Sequence, residues 1–191
     1  MHILDRGTIF NATTAPHAAR FCTFTSLNCL QDGRLIAAFR VGSAKDSPDE
    51  DVRIFTSHDE GATWQQTFAG FGDVPPGSHG RIRSIGITET APGKLMASIM
   101  ATDRSDPTRP LASPETQGLL QTWAYIVEST DGGHTWSTPR HVDLAPHTGN
   151  AITGDLLRLQ GGKLALPDEA WKGYDDASHG EHHAALRISY D

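Results

Sequence analysis

Ser57-His58-Asp59-Glu60-Gly61-Ala62-Thr63-Trp64 returns 72 residues later as Ser129-Thr130-Asp131-Gly132-Gly133-His134-Thr135-Trp136, so Ser-x-Asp-x-Gly-x-Thr-Trp stands twice in one chain. The sequence ends on Ser189-Tyr190-Asp191, the first three residues of a third copy. A fixed repeat of this kind settles architecture before any local propensity does, because each unit is one supersecondary element that buries its apolar surface against the next. A second element precedes each box: Asp32-Gly33-Arg34-Leu35, Pro92-Gly93-Lys94-Leu95 and Gly161-Gly162-Lys163-Leu164. Leu27, Ile87 and Leu156 stand six residues before Gly33, Gly93 and Gly162, and Ile54, Ile126 and Leu186 stand three before Ser57, Ser129 and Ser189. Each unit therefore supplies three short apolar strands before its box, and the box Trp opens a fourth.

The strands alternate with period two. Leu35, Ala37 and Phe39 share one face and Ile36 and Ala38 the other, while Trp123, Tyr125 and Val127 oppose Ala124 and Ile126. Apolar residues on both faces require cover on both sides. The reading is an all-β chain, a β-propeller of four-stranded antiparallel blades, with about three blades at 20–70, 80–142 and 150–191 within one partial domain, 1–191. Gly7-Thr8-Ile9-Phe10 reads as a further strand that closes a ring. Nineteen glycines and eleven prolines suit many short strands and turns.

Within each box the residue types are turn formers. Ser57 and Ser129 begin the turn, Asp59 and Asp131 accept backbone N–H groups, Gly61 and Gly133 permit positive φ, and Trp64 and Trp136 anchor the turn in apolar surroundings. The boxes are structural and carry no chemistry.

The net charge of −7 is spread along the chain, with no Lys/Arg-rich stretch to neutralise phosphates, so nucleic acid is not expected as a partner. No stretch approaches the roughly 20 apolar residues of a membrane span, and Met1 to Arg6 lacks the basic start and apolar run of a secretory leader. A soluble protein, cytoplasmic by default, is the expectation. Cys22 and Cys29 lie seven apart in one strand, where alternation sends them to opposite faces; both read as buried free thiols.

The Ser-x-Asp-x-Gly-x-Thr-Trp boxes, or BNR repeats, preceded by Asp-Gly-Arg-Leu strands, resemble the sialidase (neuraminidase) superfamily over nearly the whole chain. The resemblance implies a six-bladed propeller when complete, with further blades C-terminal to residue 191. It also implies a glycoside hydrolase of exo-α-sialidase type acting on terminal acidic sugars of glycans. No cofactor and no metal are expected. The alternative is a non-catalytic propeller that binds carbohydrate or protein.

Turns after the third strand place the boxes on one face. Residues 40–51, 101–121 and 167–183, with the inter-blade segments 11–20, 70–83 and 140–152, form the opposite face, where irregular loops carry function. On it, His17, His79 and His147 precede Gly33, Gly93 and Gly162 by 16, 14 and 15 residues. They could ring a channel mouth to bind sugar hydroxyls or a metal, or be satisfied by neighbouring backbone. Arg20, Arg81 and Arg83 follow, able to grip a sugar carboxylate bidentately. The family's Phe/Tyr-Arg-Ile-Pro arginine has Thr23 in its place here. Asp46 matches the family's acid/base aspartate within a residue and heads the acidic run to Asp51, which a solvated loop explains equally well. Glu169 in Asp168-Glu169-Ala170-Trp171 is a second catalytic candidate, and Trp171 beside it offers a platform for a sugar ring. His179-Gly180-Glu181-His182-His183 lacks metal-ligand spacing.

Overall fold

A computed structural model describes residues 5–147, 149–152, 154–180 and 182–189; Met1–Leu4, Glu181 and the Tyr190-Asp191 end of the third box lie outside them. The described residues contain no α-helix, only three short 3-10 turns, and twelve strands. Strands β1 (Phe21–Cys29), β2 (Leu35–Gly42), β3 (Asp51–Ser57) and β4 (Gln65–Phe68) make one antiparallel sheet in chain order. Strands β5 (Gly80–Ala91), β6 (Lys94–Asp103), β7 (Thr122–Ser129) and β8 (Arg140–Val142) repeat it. In the third sheet, β9 (Gly149–Ala151) and β10 (Leu157–Arg158) pair with different stretches of β11 (Leu164–Trp171), which pairs in turn with β12 (His183–Ser189).

The expected alternation is the packing that holds the sheets together. Ile36, Ala38 and Ile54 of the first sheet share a core with Ile82, Ile87, Ile99 and Val127 of the second. Burying each of those isoleucines contributes roughly 1.5–3 kcal/mol. On the other face of the second sheet, Met100, Ala124 and Ile126 meet Ile152, Leu156 and Leu166 of the third. Polar contacts also tie β1 to β5 and to the segment between β9 and β10. Asp155 accepts from Ser26 Oγ at 2.8 Å and from Asn28 Nδ2 at 3.3 Å, and Asn28 Nδ2 also donates to Ile87 O at 2.7 Å.

The two Ser-x-Asp-x-Gly-x-Thr-Trp turns share one circuit. Ser57 Oγ donates to Asp59 Oδ1 at 2.8 Å and accepts from Gly61 N at 2.8 Å; Thr63 N and Oγ1 donate to Asp59 at 2.8 and 2.6 Å; Trp64 Nε1 donates to Gly61 O at 3.1 Å. Ser129, Asp131, Gly133, Thr135 and Trp136 repeat these bonds. Gly61 and Gly133, at φ +91° and +89°, hold a left-handed conformation that a side chain would strain.

Three expectations need correction. Gly7–Phe10 forms no strand: Phe10 lies 5.8 Å from the rings of both Phe39 and Phe55, so this segment covers the outer face of the first sheet instead. Cys22 and Cys29 are exposed, not buried. They also share a face, because a bulge between Thr23 and Ser26 adds one residue to β1, pairing Cys22 with Val41 and Cys29 with Leu35. Asp168–Trp171 belongs to β11 rather than to a loop, since Glu169 and Ala170 are paired on both sides, with β9 and with β12.

Register fixes the two ends of each sheet. Leu35 pairs with Ser57 and Val41 with Asp51, so the turn carrying Trp64 and the loop carrying Asp46 leave opposite ends of the first sheet. Leu95 opposite Ser129 and Thr102 opposite Thr122 repeat that arrangement in the second.

Candidate functional site

Arg40 stands among the apolar residues of β2 and is 1% exposed, so its charge has to be met inside the protein. The loop that follows β2 meets it. Glu50, fully buried, accepts from Arg40 Nη1 through Oε2 and from Arg104 Nη2 and Nε through Oε1 at 2.8 and 3.1 Å. Arg40 also donates from Nε to Thr23 Oγ1 at 2.9 Å and from Nη2 to Lys45 O. Thr23 of β1 thus serves as an acceptor for an arginine of the neighbouring strand.

Arg83 of β5, 8% exposed, joins this cluster from the second sheet. Its Nη1 donates to Asp46 Oδ1 at 2.7 Å and lies 3.6 Å from Glu50 Oε2. Phe24, at the β1 bulge with φ +55°, sits beneath both cations, its ring centroid 5.3 Å from the guanidinium carbons of Arg40 and Arg83. Three arginines face two carboxylates, so the cluster carries a net charge of +1. Partial burial pushes the Asp46 carboxyl up, but the Arg83 hydrogen bond and the charges of Arg83, Arg40 and Lys45 outweigh it and hold the group below its usual range.

Above this cluster opens a cavity of ≈ 240 Å³ to which all three sheets contribute: Phe24 from the first, Arg83 and Met100 from the second, Ala151, Glu169 and Trp171 from the third. Leu111 and Leu119, from the loop after β6, complete its apolar wall. Glu169 is exposed and accepts from Trp171 Nε1 at 3.3 Å, which holds carboxylate and indole side by side. Among the described residues, the ion pairs of Arg83 with Asp46 and Glu50 both run through Nη1. The cavity can enclose a small ring, stack it on an indole, hydrogen-bond it from a carboxylate and meet an acidic substituent with a guanidinium.

Of the residues singled out from sequence, Arg83, Glu169 and Trp171 line this cavity and Asp46 braces Arg83. Arg20 does not join them; its Nε donates to Ala15 O at 2.9 Å. Arg81 pairs with Asp73 at 3.1 Å. His17 and His79 are exposed, and the His79 carbonyl accepts from Arg104 N at 3.1 Å. His147 packs edge-on against His183, ring centroids 4.9 Å apart. None of the three histidines lines the cavity, and among the described residues no group of three or more His, Cys, Asp or Glu is placed to hold a metal. Arg40, Glu50, Arg104 and Phe24 were not foreseen. The one available signal was Arg40, a lone cation inside the apolar run Leu35–Val41, which demands a buried partner.

No protein-family model and no curated relative matches the chain. Among solved structures it is similar to the Hadza microbial sialidase Hz136, with a TM-score of 0.69 and 17% identity over 91% of this chain and 36% of that one. It is also similar to an α-L-arabinanase of Penicillium chrysogenum solved with arabinobiose, with a TM-score of 0.63 and 20% identity over 92% of this chain and 48% of that one. A third is Zg3597, a family 117 glycoside hydrolase of Zobellia galactanivorans, with a TM-score of 0.61 and 14% identity over 89% of this chain and 52% of that one. The likeness is one of fold, and that fold is a glycosidase-like one. This chain spans between about a third and a half of the length of these proteins. Among the described residues no helix is long and apolar enough to cross a membrane.

Proposed function

We propose that this chain is the first half of a six-bladed Asp-box propeller of sialidase type, and that its cavity binds the terminal sugar of a glycan for hydrolysis. The three sheets are read as blades. Two lateral faces support a ring with further members: Leu27 on β1 and Leu157, Leu186 and Ile188 on the third sheet are about half exposed, as blade faces awaiting neighbours would be. The sialidase and arabinanase similarities support a sugar substrate.

The observation that carries the reading is the meeting of Glu169, Trp171 and Arg83 in one cavity shared by three sheets. Glycosidic cleavage uses a carboxyl that passes a proton to the leaving oxygen and a second group, a carboxylate or an activated tyrosine, to stabilise or attack the oxocarbenium-like centre. Glu169, exposed at the cavity rim, takes the proton-transfer role. Asp46 is committed to the Arg83 guanidinium and fixes it in place, and Arg83 receives an acidic substituent of the sugar.

The test is turnover by the full-length protein of fluorogenic α-sialoside and α-L-arabinofuranoside. Cleavage of either, abolished by Glu169→Gln, is the expected result; undiminished turnover in that variant removes Glu169 from the mechanism. A second reading, a glycan-binding propeller without catalysis, is favoured by the closed Asp46–Arg83 pair, and binding of the same sugars without turnover would decide for it.

A further inference from the structure

The cavity beside Trp171 does not end at Leu119. On the other side of that residue opens a second hollow of ≈ 210 Å³, lined by Asp103, Arg109, Gln121, Tyr174 and Asp175, with Leu119 common to both. The partition is built of backbone. Leu119 N donates to Lys172 O at 3.0 Å, and Leu119 forms a parallel bridge with Gly173. Gly118 approaches so closely that a Cβ there would stand 2.0 Å from Gly173 O. Ala112 bridges Leu119 from the other side, and Thr116 Oγ1 donates to Tyr174 O. Two loops, 104–121 and 172–180, are thereby fastened to each other, so both hollows keep a fixed relative position.

The wall of the second hollow differs from that of the first. The Arg109 guanidinium lies 3.9 Å over the Tyr174 ring and pairs with Asp175 at 3.1 Å, forming a flat cation and aromatic stack edged by carboxylates. Asp103 and Asp175 against Arg109 leave a net charge of −1, which opposes a carboxylated ring. Carboxylates and a guanidinium together accept from and donate to vicinal hydroxyls.

We propose that this hollow is a second sugar subsite, which takes a neutral, hydroxyl-rich ring linked to the terminal sugar held beside Trp171. The natural substrate is then a glycan of at least two residues, with the second ring recognised by Arg109 and Asp103. This inference rests on the reading of the first cavity as a sugar pocket.

The experiment uses the full-length protein, wild type and with Arg109→Ala or Asp103→Asn. Arabinobiose and sialyllactose are compared with the aryl glycosides of the same terminal sugars, by kinetics and by saturation-transfer NMR. Losing one charge-assisted contact should raise the ratio of disaccharide KM to aryl-glycoside KM about tenfold. Protons of the second ring should lose saturation while those of the terminal ring keep it. An unchanged ratio, with a second ring that never takes saturation, overturns the subsite and leaves the proposed hydrolysis standing. Absence of turnover on every sugar overturns the hydrolysis instead, and the NMR result then decides the subsite by itself. Two variants, one at the end of β6 and one in the loop after it, guard against one that fails to fold.

Discussion

Asp46 and Arg83, 37 residues apart, meet at 2.7 Å across the boundary between the first two sheets. The contact joins a loop that follows β2 to the opening strand of the next unit, so one ion pair both closes the seam between sheets and sets the electrostatics of the cavity above it. Because the carboxyl is held below its ordinary value of 3.8, its contribution has a definite sign. The folded protein favours the ionised form, so the stabilisation is present above the unfolded value and is lost as pH falls through the lower folded one.

From that relationship follows a division of labour between two carboxylates. If Glu169 passes the proton, Asp46→Asn should lower turnover but keep the fall of activity on the basic side of the pH–rate profile, whereas Glu169→Gln should abolish turnover. The same Asp46→Asn protein should lose less stability than wild type on acidification below about pH 4. A profile whose basic limb vanishes in Asp46→Asn would assign the acid to Asp46 after all.

Glu50 is the common counter-ion of Arg40 and Arg104, and it has no access to solvent. Removing one partner of a buried ionic group leaves uncompensated charge, at a cost of about 3 to 5 kcal/mol. We expect Glu50→Gln to lose that amount in urea denaturation, even though the amide preserves shape. Replacing all three together by apolar residues, Arg40→Met, Glu50→Leu and Arg104→Met, should cost much less, since no charge is then stranded. Equal losses in the two proteins would mean that packing and not charge makes this cluster important.

How far the sequence announced these features depends on the range of the interactions. Ile36 and Ala38 against Phe39 and Val41 were legible, because alternation along a strand is local and each face found its own core. The boxes were equally legible, each closing its bonds within eight residues. The faces of Cys22 and Cys29 were not, since the bulge at Phe24 adds one residue that no hydrophobic pattern encodes. The Arg40, Glu50 and Arg104 cluster was hidden for another reason: its members come from three segments whose meeting depends on how one sheet lies on the next. Arg20 and Arg81 looked as eligible as Arg83, and only their local partners, Ala15 O and Asp73, show why they stand apart.

The boxes lend the fold an acid-sensitive margin. Hydrogen bonds from Thr63 and Ser57 hold the Asp59 carboxyl down at about 2, and the equivalent bonds from Thr135, Ser129 and His134 N hold Asp131 lower still. Depressed carboxyls stabilise above their unfolded value of 3.8 and cease to do so as pH falls through the folded values. Asp59→Asn and Asp131→Asn should therefore lower the melting temperature at pH 7 while flattening its decline between pH 4 and pH 2. Circular dichroism melts over that range measure it, and a decline as steep as wild type would mean that other carboxylates govern acid unfolding.

The third sheet presents its outer face to solvent. Leu157 and Ile188 both pair with Ala165, and Leu186 pairs with Pro167, so the three side chains stand on one side of the sheet, 53%, 47% and 54% exposed. An apolar strip of this kind on strands with pairing capacity draws other molecules to it. Expressed as residues 1–191, the protein should associate with rising concentration in analytical ultracentrifugation, and Leu186→Lys with Ile188→Glu should keep it dispersed. In the full-length protein the same two substitutions should act in the opposite sense, lowering the melting temperature, because in the proposed ring a further blade covers these side chains and the new charges would be buried. If the double variant left the full-length protein as stable as before, nothing would pack on this face and the ring proposed for the molecule would have to close elsewhere.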